Sequence, residues 1–213
     1  MSLKSINPYN GKVIKTYKEH SLKEIYEKIK ETHEAWLSWK KIDLKDRSLL
    51  MQNLSAVLKN SKESLAKLMT EEMGKPYKAG IAEVEKCAAV CDYYATHSKD
   101  FLKDQLVKTE ASKSYVSFEP LGVILAIMPW NFPLWQVFRF LAPSLMAGNC
   151  GILKHASNVS GCALAIESLV IEAGFPAHVF QSILVSGKKV NPIIENPLIT
   201  AVTLTGRLMP AKG

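Results

Sequence analysis

Hydrophobic positions along this chain recur at two different periods, and the change falls near residue 115. Residues 21–41 carry Leu22, Ile25, Ile29, Trp36 and Trp39 near helical spacing, and Ser21 with Glu24 forms a capping box, so a helix is predicted there. Residues 46–73 set Leu49, Leu50, Leu54, Val57, Leu58, Leu65, Leu68 and Met69 on one face. That pattern predicts a single long amphipathic helix starting at Asp46 and closed by Gly74 and Pro76. An alanine-rich helix is predicted over residues 77–102. Ahead of all three, SINPYNGKVIKTY reads as two short strands around a turn supplied by Asn7, Pro8, Asn10 and Gly11.

Beyond that point SKSYVSFEP alternates like an exposed strand. LGVILAIM, residues 121–128, is continuously apolar, as a strand covered on both faces must be. Helices are predicted near 134–147 and 160–173, with a shorter one near 187–195, and strands near 150–153, 178–184 and 201–205. Apolar strands alternating with helices predict a parallel α/β sheet with right-handed crossovers. There is no internal repeat and no low-complexity tract.

Composition narrows the function classes. Hydrophobic residues make up 47% of the chain and charged ones 22%, an ordinary globular balance. The net charge of +7, from 27 basic and 20 acidic residues, is spread among acids with no basic run carrying interleaved aromatics. That argues against a nucleic-acid or membrane-surface partner. Cys87, Cys91, Cys150 and Cys162 lack the spacing of a disulfide framework or a CxxC pair, so buried reduced thiols are expected. His33 and Glu34 do not continue into HExxH, and His20, His97, His155 and His178 have no ligand spacing, so no metal site is expected. The start lacks a signal-peptide pattern and no segment reaches the roughly 18 apolar residues of a membrane span, so a cytoplasmic location is expected.

Candidate chemistry sits where strands end. In an open parallel sheet, ligands lie beyond the carboxyl ends of the strands. Three loops qualify: PWN after residues 121–128, Lys154 to Ser157, and Gly206 after AVTLT. Pro129 and Pro133 stiffen the first of these, because each fixes its own φ and restricts its predecessor. An asparagine held between them points at something, or satisfies backbone groups in a tight loop. A GxGxxG fingerprint is absent.

The segments EEMGKPYKAGIAEVEKCA, EPLGVILAIMPWNFPLWQVFRFLAPSLMAGNCGILKHASNVSGCA, EAGFPAHVF and AVTLTG resemble, in order and spacing, the amino-terminal part of NAD(P)-dependent aldehyde dehydrogenases, nearest the succinate-semialdehyde dehydrogenases. The resemblance covers about residues 5–206. It implies an α/β fold, in which a helical amino-terminal region leads into a truncated Rossmann-like parallel sheet of a cofactor-binding domain. Residues 1–104 would form the strand pair and helical layer, 105–120 a bridging strand segment, and 121–206 the βα units.

The implied chemistry is oxidation of an aldehyde, succinic semialdehyde by nearest branch, with NADP or NAD as cofactor. Asn131 would donate its side-chain amide to the oxyanion formed when a cysteine thiolate attacks the aldehyde, a contribution of about 3 to 4 kcal/mol to the barrier. Ile127, Met128, Pro129, Trp130, Lys154, His155, Ala156, Ser157 and Gly206 would line the cofactor site, with Lys154 reaching the adenosine ribose. Where many NAD-using relatives carry a Glu, this chain has Ser157, which does not repel a 2′-phosphate.

The family's nucleophilic Cys and general-base Glu come later in the family pattern than residue 213. None of the four cysteines here replaces the nucleophile: each reads as a small buried hydrophobe. After VTLTG the family continues into a helix, whereas this chain reads RLMPAKG, with Pro210 against a helix. These features imply a premature ending and a chain inactive alone. They also imply an apolar edge prone to self-association, where intact relatives are homo-oligomers. The alternative is a non-catalytic module that complements a separately encoded remainder. A nucleotide-binding protein of other ancestry explains the α/β pattern but not EEMGKP, PWNFP and LTG together.

Overall fold

The computed structural model describes residues 2–206, so the expected aberrant tail at 207–213, with Pro210, lies outside the described residues. A strand pair, β1 (Ser2–Ile6) and β2 (Val13–Lys18), runs antiparallel. Helix α1 (Leu22–Trp39) follows with the predicted capping box intact: the Ser21 hydroxyl accepts from the Glu24 amide, and the Glu24 carboxylate accepts from the Ser21 amide.

The predicted helix over 46–73 is two helices, α2 (Leu44–Asn60) and α3 (Lys62–Met73), broken at Ser61 (φ −98°, ψ 7°). Residues 59–64 read KNSKES, with no apolar residue to hold a continuous face against the core. Helix α4 (Tyr77–Leu102) packs against both pieces. Gly80 of α4 lies over Ala66 of α3, and an added Cβ would sit 3.0 Å from the Ala66 Cα. The expected SKSYVSFEP strand shrinks to β4 (Tyr115–Val116), paired with β3 (Gln105–Leu106).

The main sheet is parallel with strand order β7-β6-β5-β8, built from β5 (Val123–Met128), β6 (Cys150–His155), β7 (Phe180–Ile183) and β8 (Ile199–Leu204). Strand β6 runs two residues past its predicted end, so Lys154 and His155 belong to the strand and pair with Ile127 and Met128. Among the described residues β8 pairs only with β5, leaving it at the sheet edge. The short helix expected near 187–195 is a 3-10 turn followed by α7 (Asn191–Ile194).

Both faces of the sheet are covered, as the apolar runs require. One face carries Ala126, Met128 and Leu153 into a large core shared with α5 (Trp135–Met146), α6 (Ser160–Glu172) and α2 to α4. The opposite face buries Val123, Leu125 and Ile152 against Ile25 and Ile29 of α1 and Ile193 of α7. No helix among the described residues is long and apolar enough to cross a membrane.

Candidate functional site

Parallel strands bring their carboxyl ends to one edge, and the loop after β5 emerges there between β6 and β8. Pro129, Trp130, Asn131, Gln136, Thr205 and Gly206 line a cleft of about 380 Å³ at this edge. The Thr205 amide donates to the Ile127 carbonyl at 3.0 Å, which holds the end of β8 against β5. Trp130 is 50% exposed, so it forms a wall of the cleft and is not packed in the core. Ile127 and Met128 lie on β5 itself, beneath the cleft.

Lys154, Ala156 and Ser157 sit one strand over, at the end of β6, and are each partly buried. Lys154 has no ion-pair partner among the described residues, and burial holds its amine below the ordinary lysine value. Among the described residues, no acidic side chain lines the cleft. A partly desolvated, uncommitted cation beside an acid-free cleft suits an anionic ligand such as a dinucleotide phosphate. His155 is different: it is 4% exposed and both ring nitrogens are engaged, Nε2 with the Pro133 carbonyl and Nδ1 with the Ala156 amide. Its ring has no donor left for a ligand.

The Asn131 side chain is exposed and has no hydrogen-bond partner among the described residues, which removes the reading of an amide used up inside its own loop. The loop is instead fixed from outside. Glu83 of α4 accepts from the Leu134 and Trp135 amides at 2.9 Å each, closing the first turn of α5. Lys75 pairs with Glu83 at 2.6 Å and reaches the Asn131 carbonyl at 3.4 Å. At the other end of α5, Arg47 donates to the Met146 carbonyl at 2.7 Å and Trp39 to Leu145 at 3.3 Å. A carboxylate at the amino end and a guanidinium at the carboxyl end both complement the helix dipole.

Helix α6 is closed in the same way: Glu72 accepts from the Gly161 and Cys162 amides, both at 2.9 Å. The amino ends of α5 and α6 are therefore already occupied by protein carboxylates, and neither offers its first turn to a phosphate. Sequence reasoning passed over Lys75, Glu83 and Glu72. The available signal was an acid on an apolar stripe: Glu83 lies three residues after Gly80 and four before Cys87, and Glu72 three after Met69.

A second cavity, of about 460 Å³ and mainly apolar, lies on the other side of Asn131 between α4 and the loop. Ala79, Ala82, Phe132 and Trp135 supply its apolar wall, and Asn131 lines both this cavity and the cleft at the sheet edge.

None of the four cysteines is placed to attack a bound molecule. All are free and buried. Burial pushes Cys150 up to about 12 and raises Cys87, Cys91 and Cys162 as well, with nearby carboxylates adding to the effect at those three. A thiolate at neutral pH is disfavoured at every one.

Comparison with known proteins adds a lineage to this geometry. Residues 1–209 match the family model described as the aldehyde dehydrogenase family. A probable NADP(+) succinate-semialdehyde dehydrogenase of Synechocystis sp. is 46% identical over 206 residues, covering 97% of this chain and 45% of that protein. An NADP(+) succinate-semialdehyde dehydrogenase of Mycobacterium tuberculosis is 41% identical over 209 residues, with 97% and 46% covered. Among solved structures, the succinic semialdehyde dehydrogenase of Streptococcus pyogenes in complex with NADP+ superposes with a TM-score of 0.90 at 31% identity, over 94% of this chain and 44% of that one. The chain thus spans less than half the length of the curated relatives it matches.

Proposed function

Because the chain belongs to the aldehyde dehydrogenase family, we propose that it is the cofactor-side portion of an NADP-linked dehydrogenase that oxidises succinic semialdehyde to succinate. The observation that carries this reading is the place of Asn131, whose unpartnered amide borders both an acid-free cleft at the sheet edge and an apolar cavity behind it. The cleft suits the dinucleotide and the cavity suits the aldehyde. Bound in the cleft, the nicotinamide cofactor supplies the acceptor for the hydride lost from the aldehyde carbon.

The chain's own residues then bind and stabilise. Lys154 and Ser157 take the adenosine ribose and its 2′-phosphate, where the absence of a carboxylate at 157 avoids like-charge repulsion. Trp130 walls the cleft. Asn131 donates its amide to the oxygen that becomes negative when a thiolate adds to the carbonyl, and a donor fixed in advance needs no reorganisation at that moment. The four thiols here are buried, so the attacking thiolate is supplied from outside these residues.

Calorimetric titration tests the binding half of this reading. The folded 213-residue chain should bind NADP+ more tightly than NAD+, and a folded chain that takes up neither nucleotide would sink the proposal. Incubated alone with succinic semialdehyde and NADP+, the chain should form no NADPH.

The edge of β8, unpaired among the described residues, favours a second reading, in which the chain acts as a non-catalytic module that complements a separately encoded remainder. Val202 is 42% exposed and Leu204 61%, and an unpaired apolar strand edge is a template for another chain. Under this reading, NADPH formation should appear when a polypeptide carrying the family's cysteine and glutamate is added.

A further inference from the structure

The side chains of Lys75 and Glu83 meet at 2.6 Å while only 7% and 2% exposed. Burying two charges costs much of what their attraction returns, so such a pair is weak evidence for stability, and what it holds in place becomes the question. Glu83 needs no lysine to close α5, because its Oε1 already accepts both the Leu134 and Trp135 amides. Lys75 makes two further contacts. Its Nζ donates to the Asn131 carbonyl at 3.4 Å and lies 4.0 Å from the centroid of the Phe132 ring. Neither contact serves α5; both act on the loop ahead of it.

The four residues gripped are 131, 132, 134 and 135. Between them, the Pro133 carbonyl is held from the opposite side by His155. The backbone carrying Asn131 is therefore clamped between the helical layer and the sheet, while the Asn131 amide itself stays unpartnered. We propose that Lys75 and Glu83 are positioning residues that fix the Asn131 amide at the boundary between the cleft and the apolar cavity, acting through the backbone and ring of residues 131–135. This rests on the oxyanion role proposed for Asn131. The division of labour is specific: Glu83 sets the start of α5, and Lys75, held by Glu83, sets the approach of the loop.

The double variant Lys75→Met with Glu83→Gln separates positioning from capping. It leaves no lone buried charge, and the amide oxygen introduced at 83 still accepts from α5. In the 15N-labelled full chain, the Leu134 and Trp135 amides should stay protected from exchange, as should Ala126 and Leu153 in the sheet. The backbone order parameter at Asn131 should fall from about 0.85 to below about 0.6. Lys75→Arg, which keeps the charge and the donor, should restore much of the wild-type signal.

Unchanged Asn131 order in the folded double variant would overturn the proposal. If that variant does not fold, Phe132→Leu removes only the ring beneath the ammonium, at a 45% exposed position; loss of order at Asn131 supports the proposal and its full retention counts against it. Titrating wild type with NADP+ is the separate arm. Failure to bind defeats the functional reading, while the grip on residues 131–135 is still read from order parameters alone.

Discussion

His155 donates from Nε2 to the Pro133 carbonyl at 2.8 Å and accepts the Ala156 amide on Nδ1 at 2.9 Å, so the end of β6 is tied to the loop that carries Asn131. A carbonyl only accepts and an amide N–H only donates, which fixes the ring as the neutral Nε2–H tautomer.

Burial pushes His155 down to about 4 from the ordinary 6.5. The unfolded chain therefore takes up a proton below pH 6.5 that the folded chain refuses until about pH 4. Stability from this group is complete above pH 6.5 and is lost as pH falls through that window, by roughly 3 kcal/mol in all. His20, also held low by burial, acts in the same direction. Urea unfolding at pH 7, 6 and 5 should show the decline, and His155→Gln should be less stable at pH 7 with a shallower slope. An identical slope in the variant would assign the effect elsewhere.

Ser157→Glu should exchange the cofactor preference. A carboxylate at the end of β6 opposes a 2′-phosphate, and NADP+ affinity should drop by about tenfold to a hundredfold while NAD+ binding holds or improves. Calorimetry on the folded chain measures both constants, and an unchanged ratio would place the 2′-phosphate away from this residue.

Glu72→Ala should destabilise the whole chain. It strands the Gly161 and Cys162 amides in a buried setting and removes a negative charge from the amino end of α6, at a cost of about 2 to 4 kcal/mol. The urea midpoint should fall with an unchanged slope, and Glu72→Gln, which keeps an acceptor, should lose less.

The four thiols should be inert in the native chain. With every cysteine buried and its ionisation suppressed, iodoacetamide at pH 8 should label none of them on the timescale that labels all four in urea, a rate difference of about a hundredfold or more. Rapid labelling of any one in the folded chain would reopen the question of a nucleophile within these residues.

Much of the framework was legible because it is local. The capping box at Ser21 and Glu24, the apolar runs of β5 and β6, and the αL glycine that ends α3 at Gly74 each depend on residues within a few positions. The break at Ser61 is not legible in the periodicity, because KNSKES at 59–64 holds no apolar residue that would mark where one face ends and the next begins. The engagement of both His155 ring nitrogens is not legible locally, because its partner Pro133 lies 22 residues away.

Sequence alone determined the strand and helix periods, the stiffness that Pro129 and Pro133 give the loop at Asn131, and the meeting of strand ends at one edge, since each follows from backbone geometry and near neighbours. Only the tertiary structure decided that Glu83 would meet residues 51 and 52 positions onward, that Glu72 would reach across about ninety, and that Lys75 would lose its water to hold a loop. Charge and hydrogen-bonding partners of this kind are chosen by which surfaces exclude solvent together, a property of the packed chain that no short stretch of it contains.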